Sequence, residues 1–403
     1  MCLTTLYLDM NAYFASVEQQ EQPALRGRPV GIVAVDTDTT CCIAASYEAK
    51  AFGVRTGTGV REARKRCPDL RIVIARPVVY VRYHHAIIEA VAQCLPVAEV
   101  HSIDEVSCRL LGAEREPARA ALLGRQIKDS IYRCVGAQLR CSIGVAPNRF
   151  LAKVAAEMHK PDGLTIIRRA DLPSALDALQ LDDLPGIGKR MLERLHRRQI
   201  RSVRQLCALS KTQLEDIWES IVGRVWWHWL RGDDVADAAT CRRTVGHSHV
   251  LPPARRNEAG ARAVMVRMIH KAAFRLRRLD YWARHMRIDV HYLHRPSWRQ
   301  RAGLGLCQDT LTMLEVFDSM WACRPPGPPF KLAVTLDDLV PGTSATLPLF
   351  TGERRRIQLS RAMDRLNLRY GPHTVYFAGM HGAQDSAPTR ISFTNIPDAD
   401  FQA

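Results

Sequence analysis

From Leu3 to Leu8 the chain is mostly apolar and closes on Asp9, predicting a buried strand that presents a carboxylate at its C-terminal end. Strand-like and helix-like segments then alternate to about residue 165, which predicts a mixed sheet with helices packed on it. Near its end Asn148 is placed to cap a helix whose Phe150, Leu151, Val154, Ala155 and Met158 form one apolar stripe. Pro161 and Gly163 stop that helix and leave Lys160 at its exit, facing the site rather than the core. Residues 18–77 are rich in turn formers, among them Gly27, Pro29, Gly53, Gly57 and Pro68. From about 170 to 232 the pattern is wholly helical, with Trp218, Trp226, Trp227 and Trp229 at helical spacings as packing residues, and Arg231-Gly232-Asp233-Asp234 reads as a helix end and linker. From about 240 to 338 the predicted order is β-α-β-β-α-β, with a long helix over Asn257–Arg278: a two-layer domain with one sheet face free. Ile357, Ala362, Met363 and Leu366 give one last helical period.

A chain of 403 residues is too long for one ordinary core, so several domains are expected. A formal net charge of +16 and a pI near 9.6 call for an anionic partner, nucleic acid first, although a ribosomal or membrane surface would suit the same sign. The twelve cysteines form no Cys-x-x-Cys, and there is no His-Glu-x-x-His, so they read as thiols of a reducing compartment rather than zinc ligands or a disulfide framework. Asp9 falls where a signal peptide would need its apolar core, and no run approaches the roughly 20 apolar residues of a membrane span. A soluble, cytoplasmic protein with no membrane partner is expected. The absence of a Gly-x-x-x-x-Gly-Lys-Ser/Thr loop disfavours an ATP-driven helicase or clamp loader.

The chemistry centres on His101-Ser102-Ile103-Asp104-Glu105 taken with Asp9. Two Mg²⁺ ions held roughly 3.5–4 Å apart need hard anionic oxygens, and three carboxylates from two segments meet that need. Asp104 and Glu105 are adjacent, so in a regular strand they would point to opposite faces, and a turn or bulge must re-aim one of them. Leu184-Pro185-Gly186-Ile187-Gly188-Lys189 lies between helical segments, where glycines let backbone N–H groups approach a phosphate; Lys189, Arg190, Arg194, Arg197 and Arg198 follow.

The stretch Leu8-Asp9-Met10-Asn11-Ala12-Tyr13-Phe14-Ala15-Ser16-Val17-Glu18 resembles the first palm motif of Y-family (DinB/UmuC-like) translesion DNA polymerases, and Ser102-Ile103-Asp104-Glu105 resembles their second metal motif. Ala45–Val54, Cys141–Asn148, Met158–Gly163 and Leu184–Lys189 match further motifs in the same order. The resemblance implies an α+β multidomain right hand. Its palm comprises residues 1–17 and 78–165, small fingers 18–77, a helical thumb with a helix-hairpin-helix 166–235, a βαββαβ little finger 241–340, and a tail 341–403. It implies template-directed, low-fidelity addition of deoxynucleotides to a primer 3′ end, on primer-template DNA, by a monomer.

Residue by residue, the resemblance assigns two Mg²⁺ to Asp9, Asp104 and Glu105 with the main-chain carbonyl of Met10. Tyr47, Lys50 and Lys160 would hold the β- and γ-phosphates, with Tyr13 beside the nucleotide and Phe14 as the aromatic gate against a ribose 2′-hydroxyl. Gly186, Gly188, Lys189 and Arg190 would grip DNA, as would Arg287 in the little finger. Lys50 stands where arginine is commoner, so a point charge replaces a bidentate grip and weaker nucleotide binding is expected. Asn11 replaces a frequent aspartate outside the acidic triad, where tolerance is expected. Leu347, Leu349 and Phe350, in Ser344–Phe350, resemble a sliding-clamp-binding peptide with Thr346 in place of its glutamine; the competing reading is a hook packed on the protein's own surface. The competing function is a catalytically silent DNA-binding accessory subunit, but known silent relatives have lost the triad that is intact here.

Overall fold

The computed structural model describes residues 3–35, 37–38, 40–235, 242–346, 348–388 and 396. The chain divides into two compact units, one running to residue 237 and the other from 238 to 389.

The first unit is built on a five-stranded sheet in which β1 (Thr5–Met10) is central and wholly buried. A three-stranded sheet follows in sequence: β2 (Val30–Val33) pairs antiparallel with β3 (Cys42–Ala45) and parallel with β4 (Arg71–Ile74). The large sheet is completed by β5 (Val97–Val100), β6 (Glu105–Arg109), β7 (Cys141–Ala146) and β8 (Leu164–Ile166), in the order β5-β6-β1-β7-β8. Helix α1 (Tyr13–Glu21) leaves the end of β1 through Ala12, which takes the left-handed conformation at φ 49°, and continues past the expected boundary at residue 17. An alanine there is strained by about 1–2 kcal/mol, the cost of turning the chain sharply enough to set Tyr13 and Phe14 beside the strand end. Helices α2 (Tyr47–Ala51) and α3 (Val60–Arg66) belong to the small sheet, and α4 (Pro77–Ala92) and α5 (Pro117–Cys134) pack on each other beneath the large one.

Helix α6 (Arg149–Met158) lies directly on β7 and β1. Its cap is the predicted one: the Asn148 side chain accepts from the Leu151 amide at 2.8 Å. The predicted stripe is the buried face, with Leu151 and Val154 essentially inaccessible, each burial contributing about 2 kcal/mol. Gly144 on β7 makes the close approach possible, since a Cβ there would stand 2.0 Å from the Ala152 carbonyl oxygen and 2.4 Å from the Ala156 nitrogen.

Residues 169–183 contain three short 3-10 turns in place of the expected α-helix, because Pro173 and Pro185 deny the amide donors a continuous helix needs. Helices α7 (Lys189–Arg197), α8 (Val203–Ala208), α9 (Lys211–Trp218) and α10 (Val222–Trp229) follow. Trp218 and Trp226 are buried, and Phe150 of α6 stacks on Trp229 at 5.3 Å, so these indoles do serve as packing.

The second unit has the predicted order: β9 (Thr244–Val250), α11 (Glu258–Arg278), β10 (Tyr281–Tyr292), β11 (Trp298–Cys307), α12 (Thr310–Ala322) and β12 (Pro329–Pro341), with sheet order β11-β10-β12-β9. Met286, Ile288 and Val290 of β10 are buried with residues of α11 and α12, so the alternate residues Arg287 and Asp289 lie on the opposite face. Helix α13 (Thr351–Tyr370) buries Ile357 and Met363, while Leu366, expected on the same stripe, is exposed. Arg277 and Asp364 form a bidentate pair, at 2.6 and 2.8 Å, that ties α13 to α11.

Candidate active site

The register of β1 and β6 sets Asp9 directly opposite Glu105. Opposed residues of an antiparallel pair share a sheet face, so both carboxylates project from the same side. Tyr7 and Ser107, the next opposed pair, line that side too. Asp104 precedes β6 in a bend over Ser102–Asp104, the re-aiming that two adjacent acids require. Its carbonyl accepts from the Met10 amide at 2.9 Å, and its carboxylate accepts from the Ser102 hydroxyl.

Helix α6 brings in a third acid that was not anticipated. Oxygens of Asp9, Glu105 and Glu157 all lie within 4.8 Å of one another, whereas Asp104 is not in that group. Glu157 is four residues beyond Lys153 and eight beyond Arg149, so the three form a polar line beside the buried stripe. That spacing, read against the Asn148 cap, was the available signal.

Two lysines balance the acids. Lys153 donates to Glu105 at 2.6 Å, and Lys160 reaches Asp9 at 2.8 Å and Glu157 at 2.6 Å, so Lys160 faces the acids as the helix stop predicted. Asn11 holds the turn that carries Lys160, because its side-chain oxygen accepts from the Asp162 amide at 2.7 Å and its amide donates to Ser142 at 3.0 Å. Beside Glu105, His101 stacks on Tyr7 at 5.1 Å, hydrogen-bonds Ser107 at 2.8 Å and accepts from Arg149 at 3.2 Å.

Burial raises the Asp9 pKa well above the ordinary carboxylate value; Lys160 opposes the shift and the neighbouring Glu157 and Glu105 add to it. Asp104 is also raised, chiefly by burial. For Glu105 burial works the same way but is outweighed by the hydrogen bond and charge of Lys153, and its pKa is lowered. Buried carboxylates of this kind gain from a bound cation, and an all-carboxylate donor set suits a hard divalent ion.

On α2, Lys50 lies 4.3 Å over the Tyr47 ring, and its pKa is lowered by burial and by the nearby Lys160 charge. Asp9 and Glu157 act on Tyr47 as well, so both residues lie within the field of the acidic group. Phe14 is half-buried on α1, and Tyr13 is buried with its hydroxyl donating to the Tyr80 carbonyl at 2.6 Å. A cleft of about 970 Å³ opens on the Glu105 side, lined by Tyr7, His101, Arg149, Lys153 and Trp229.

The other predicted residues lie apart from this group. Gly186 takes φ 103°, Gly188 caps α7 with open space where a Cβ would stand, and Lys189 and Arg190 are exposed. Arg287 is paired with Asp289 at 3.1 Å, and Arg301 with Asp337 at 2.5 Å, so this basic sheet face is partly neutralised by its own acids. Leu347 lies outside the described residues, while Leu349 and Phe350 are 84% and 74% exposed, against the surface-hook reading. Among the described residues no helix is long and apolar enough to cross a membrane, and the ten described cysteines are free.

Comparison with known proteins gives the chain's family. The impB/mucB/samB family profile matches residues 8–157, and the profile of its C-terminal domain matches residues 242–349. DNA polymerase IV of Moorella thermoacetica is 32% identical over 388 residues, covering 93% of this chain and 95% of its own. Among solved structures, the Y-family DNA polymerase chimera Dbh-Dpo4(243-245)-Dbh shares the fold at TM-score 0.69 and 21% identity, and an insertion ternary complex of Dbh DNA polymerase does so at 0.57 and 21%; each match covers 84% of this chain and 99% of the other. The chain belongs to the impB/mucB/samB family, the Y-family (DinB/UmuC-like) translesion DNA polymerases.

Proposed function

We propose that this translesion DNA polymerase carries out template-directed nucleotidyl transfer at Asp9, Asp104 and Glu105, which hold two Mg²⁺ ions with the Met10 carbonyl. The observation that carries the assignment is the register match of Asp9 with Glu105, with Asp104 one residue away in the bend. Bound there, the ions would lower the barrier for attack of the primer 3′-hydroxyl on the α-phosphate and stabilise the departing pyrophosphate.

The chain's own residues divide the work by side. Lys160, with Tyr47 and Lys50, lies on the Asp9 side and receives the β- and γ-phosphates as positive charge and hydrogen-bond donors. Lys153 and Arg149 line the cleft on the Glu105 side, where the primer end would enter. Phe14, half-exposed at the start of α1, blocks a 2′-hydroxyl by bulk, with Tyr13 beneath it.

Gly186, Gly188, Lys189 and Arg190 hold duplex phosphate through open backbone and exposed charge, and Arg287 tracks phosphate from the little-finger sheet. Leu347, Leu349 and Phe350 form the clamp-binding peptide, supported by the exposure of the last two. The protein acts as a cytoplasmic monomer, with palm, fingers, thumb and little finger bounded as the motifs imply. Primer extension with triad variants tests the assignment, and gel filtration tests the monomer.

A further inference from the structure

Glu18 is completely buried, yet none of the metal or phosphate chemistry uses it. Its carboxylate receives three donors: Arg76 through Nε at 3.0 Å and through Nη2, the Tyr80 hydroxyl at 2.9 Å, and the Gln22 amide at 3.0 Å. Arg76 is the cap residue of α4, and Tyr80 stands in the first turns of that helix. The Tyr80 ring is stacked on Phe14, with centroids 4.4 Å apart and planes 18° from parallel. Tyr80 is therefore held at both ends, its hydroxyl by Glu18 and its carbonyl by the Tyr13 hydroxyl at 2.6 Å.

We infer that Glu18 and Arg76 are positioning residues for sugar selection: through Tyr80 they brace Phe14 from behind, so that the gate cannot retreat from a ribose 2′-hydroxyl. The inference rests on the reading of Phe14 as the gate. Steric selection works only while the blocking group is stiff, because a ring free to shift by a fraction of an ångström admits the extra oxygen. A ring with a second aromatic face packed behind it has no such freedom. A hydrogen bond to a buried carboxylate already fixed by a guanidinium is strong and directional, which makes Tyr80 a rigid backstop.

The test is single-nucleotide insertion kinetics with matched deoxy- and ribonucleoside triphosphates for the wild type, Glu18→Gln, Tyr80→Phe and Phe14→Val. Tyr80→Phe keeps the ring and leaves Glu18 held by Arg76 and Gln22, so it folds even if Glu18→Gln is poorly tolerated. Both bracing variants are expected to lose about tenfold in sugar discrimination through a rise in ribonucleotide kcat/KM, with the deoxynucleotide value held within about threefold. Unchanged discrimination in both, or a parallel fall for both sugars, would overturn the inference while leaving the gate intact, provided Phe14→Val loses discrimination. If Phe14→Val discriminates like the wild type, the gate reading fails and the bracing role falls with it.

Discussion

Asp9 and Glu105 face each other across β1 and β6, so the pairing register of the sheet, rather than a flexible loop, sets their separation. Asp9→Asn and Glu105→Gln should therefore each cut the rate of primer extension by at least about 10³-fold while leaving the fold in place. Circular dichroism beside single-turnover kinetics checks this.

Lys153 and Glu105 form a 2.6 Å ion pair on the cleft side, and that charge holds the Glu105 pKa down against its burial. Lys153→Met removes the charge, so Glu105 should protonate at higher pH and the acid limb of the kcat–pH profile should move upward. An acid limb identical to that of the wild type would separate Lys153 from Glu105 in function.

Burial raises Asp9 and Asp104 above the ordinary value of 3.8. A carboxyl with a raised folded-state pKa favours the fold fully below that ordinary value and loses the contribution as pH rises through the folded pKa. The metal-free protein is thus penalised at neutral pH, so Asp9→Asn should raise its Tm near pH 7.5 and leave it nearly unchanged near pH 4. Mg²⁺ should stabilise the wild type by about 2.7 kcal/mol at a hundredfold excess over Kd, and stabilise Asp9→Asn far less. Calorimetry in EDTA and in Mg²⁺ measures both effects.

Gly144 lies where α6 crosses β7, with the Ala152 carbonyl 2.0 Å from the position of a Cβ. Gly144→Ala must lift the helix, at a cost of about 1–3 kcal/mol, and it displaces Lys153, Glu157 and Lys160 together. Denaturant unfolding gives the loss of stability, and activity should fall further than stability alone explains.

Leu349 and Phe350 contribute nothing to the core, being 84% and 74% exposed. Changing both to Ala should leave Tm and clamp-free extension unchanged and reduce sliding-clamp affinity at least about tenfold, read by surface binding with purified clamp.

Much of the site was legible because it is written in local pattern. The apolar run ending at Asp9, the Asn148 cap and the βαββαβ order each depend on a few neighbouring residues. Glu157 was legible only as part of a polar line with Lys153 and Arg149; its meeting with Asp9 depends on Gly144 letting α6 lie close to the sheet, which spacing does not report. The direction of the Asp104 side chain depends on the bend before β6 and on Ser102, which periodicity does not report. Arg287 reads as a phosphate contact in sequence; its ion pair with Asp289, two residues along the same strand face, and the pair of Arg301 with Asp337 across the sheet partly neutralise that face, which side-chain spacing alone does not report. The helical expectation for 169–183 failed where Pro173 and Pro185 outweighed apolar spacing.

The most direct test is primer extension in Mg²⁺ on undamaged and lesion-containing templates by the wild type, Asp104→Ala and Glu105→Ala. Distributive extension on both templates by the wild type, abolished in both variants with primer-template binding retained, is the predicted result; no extension by a wild type that binds primer-template normally would contradict the assignment and leave a silent DNA-binding subunit in its place.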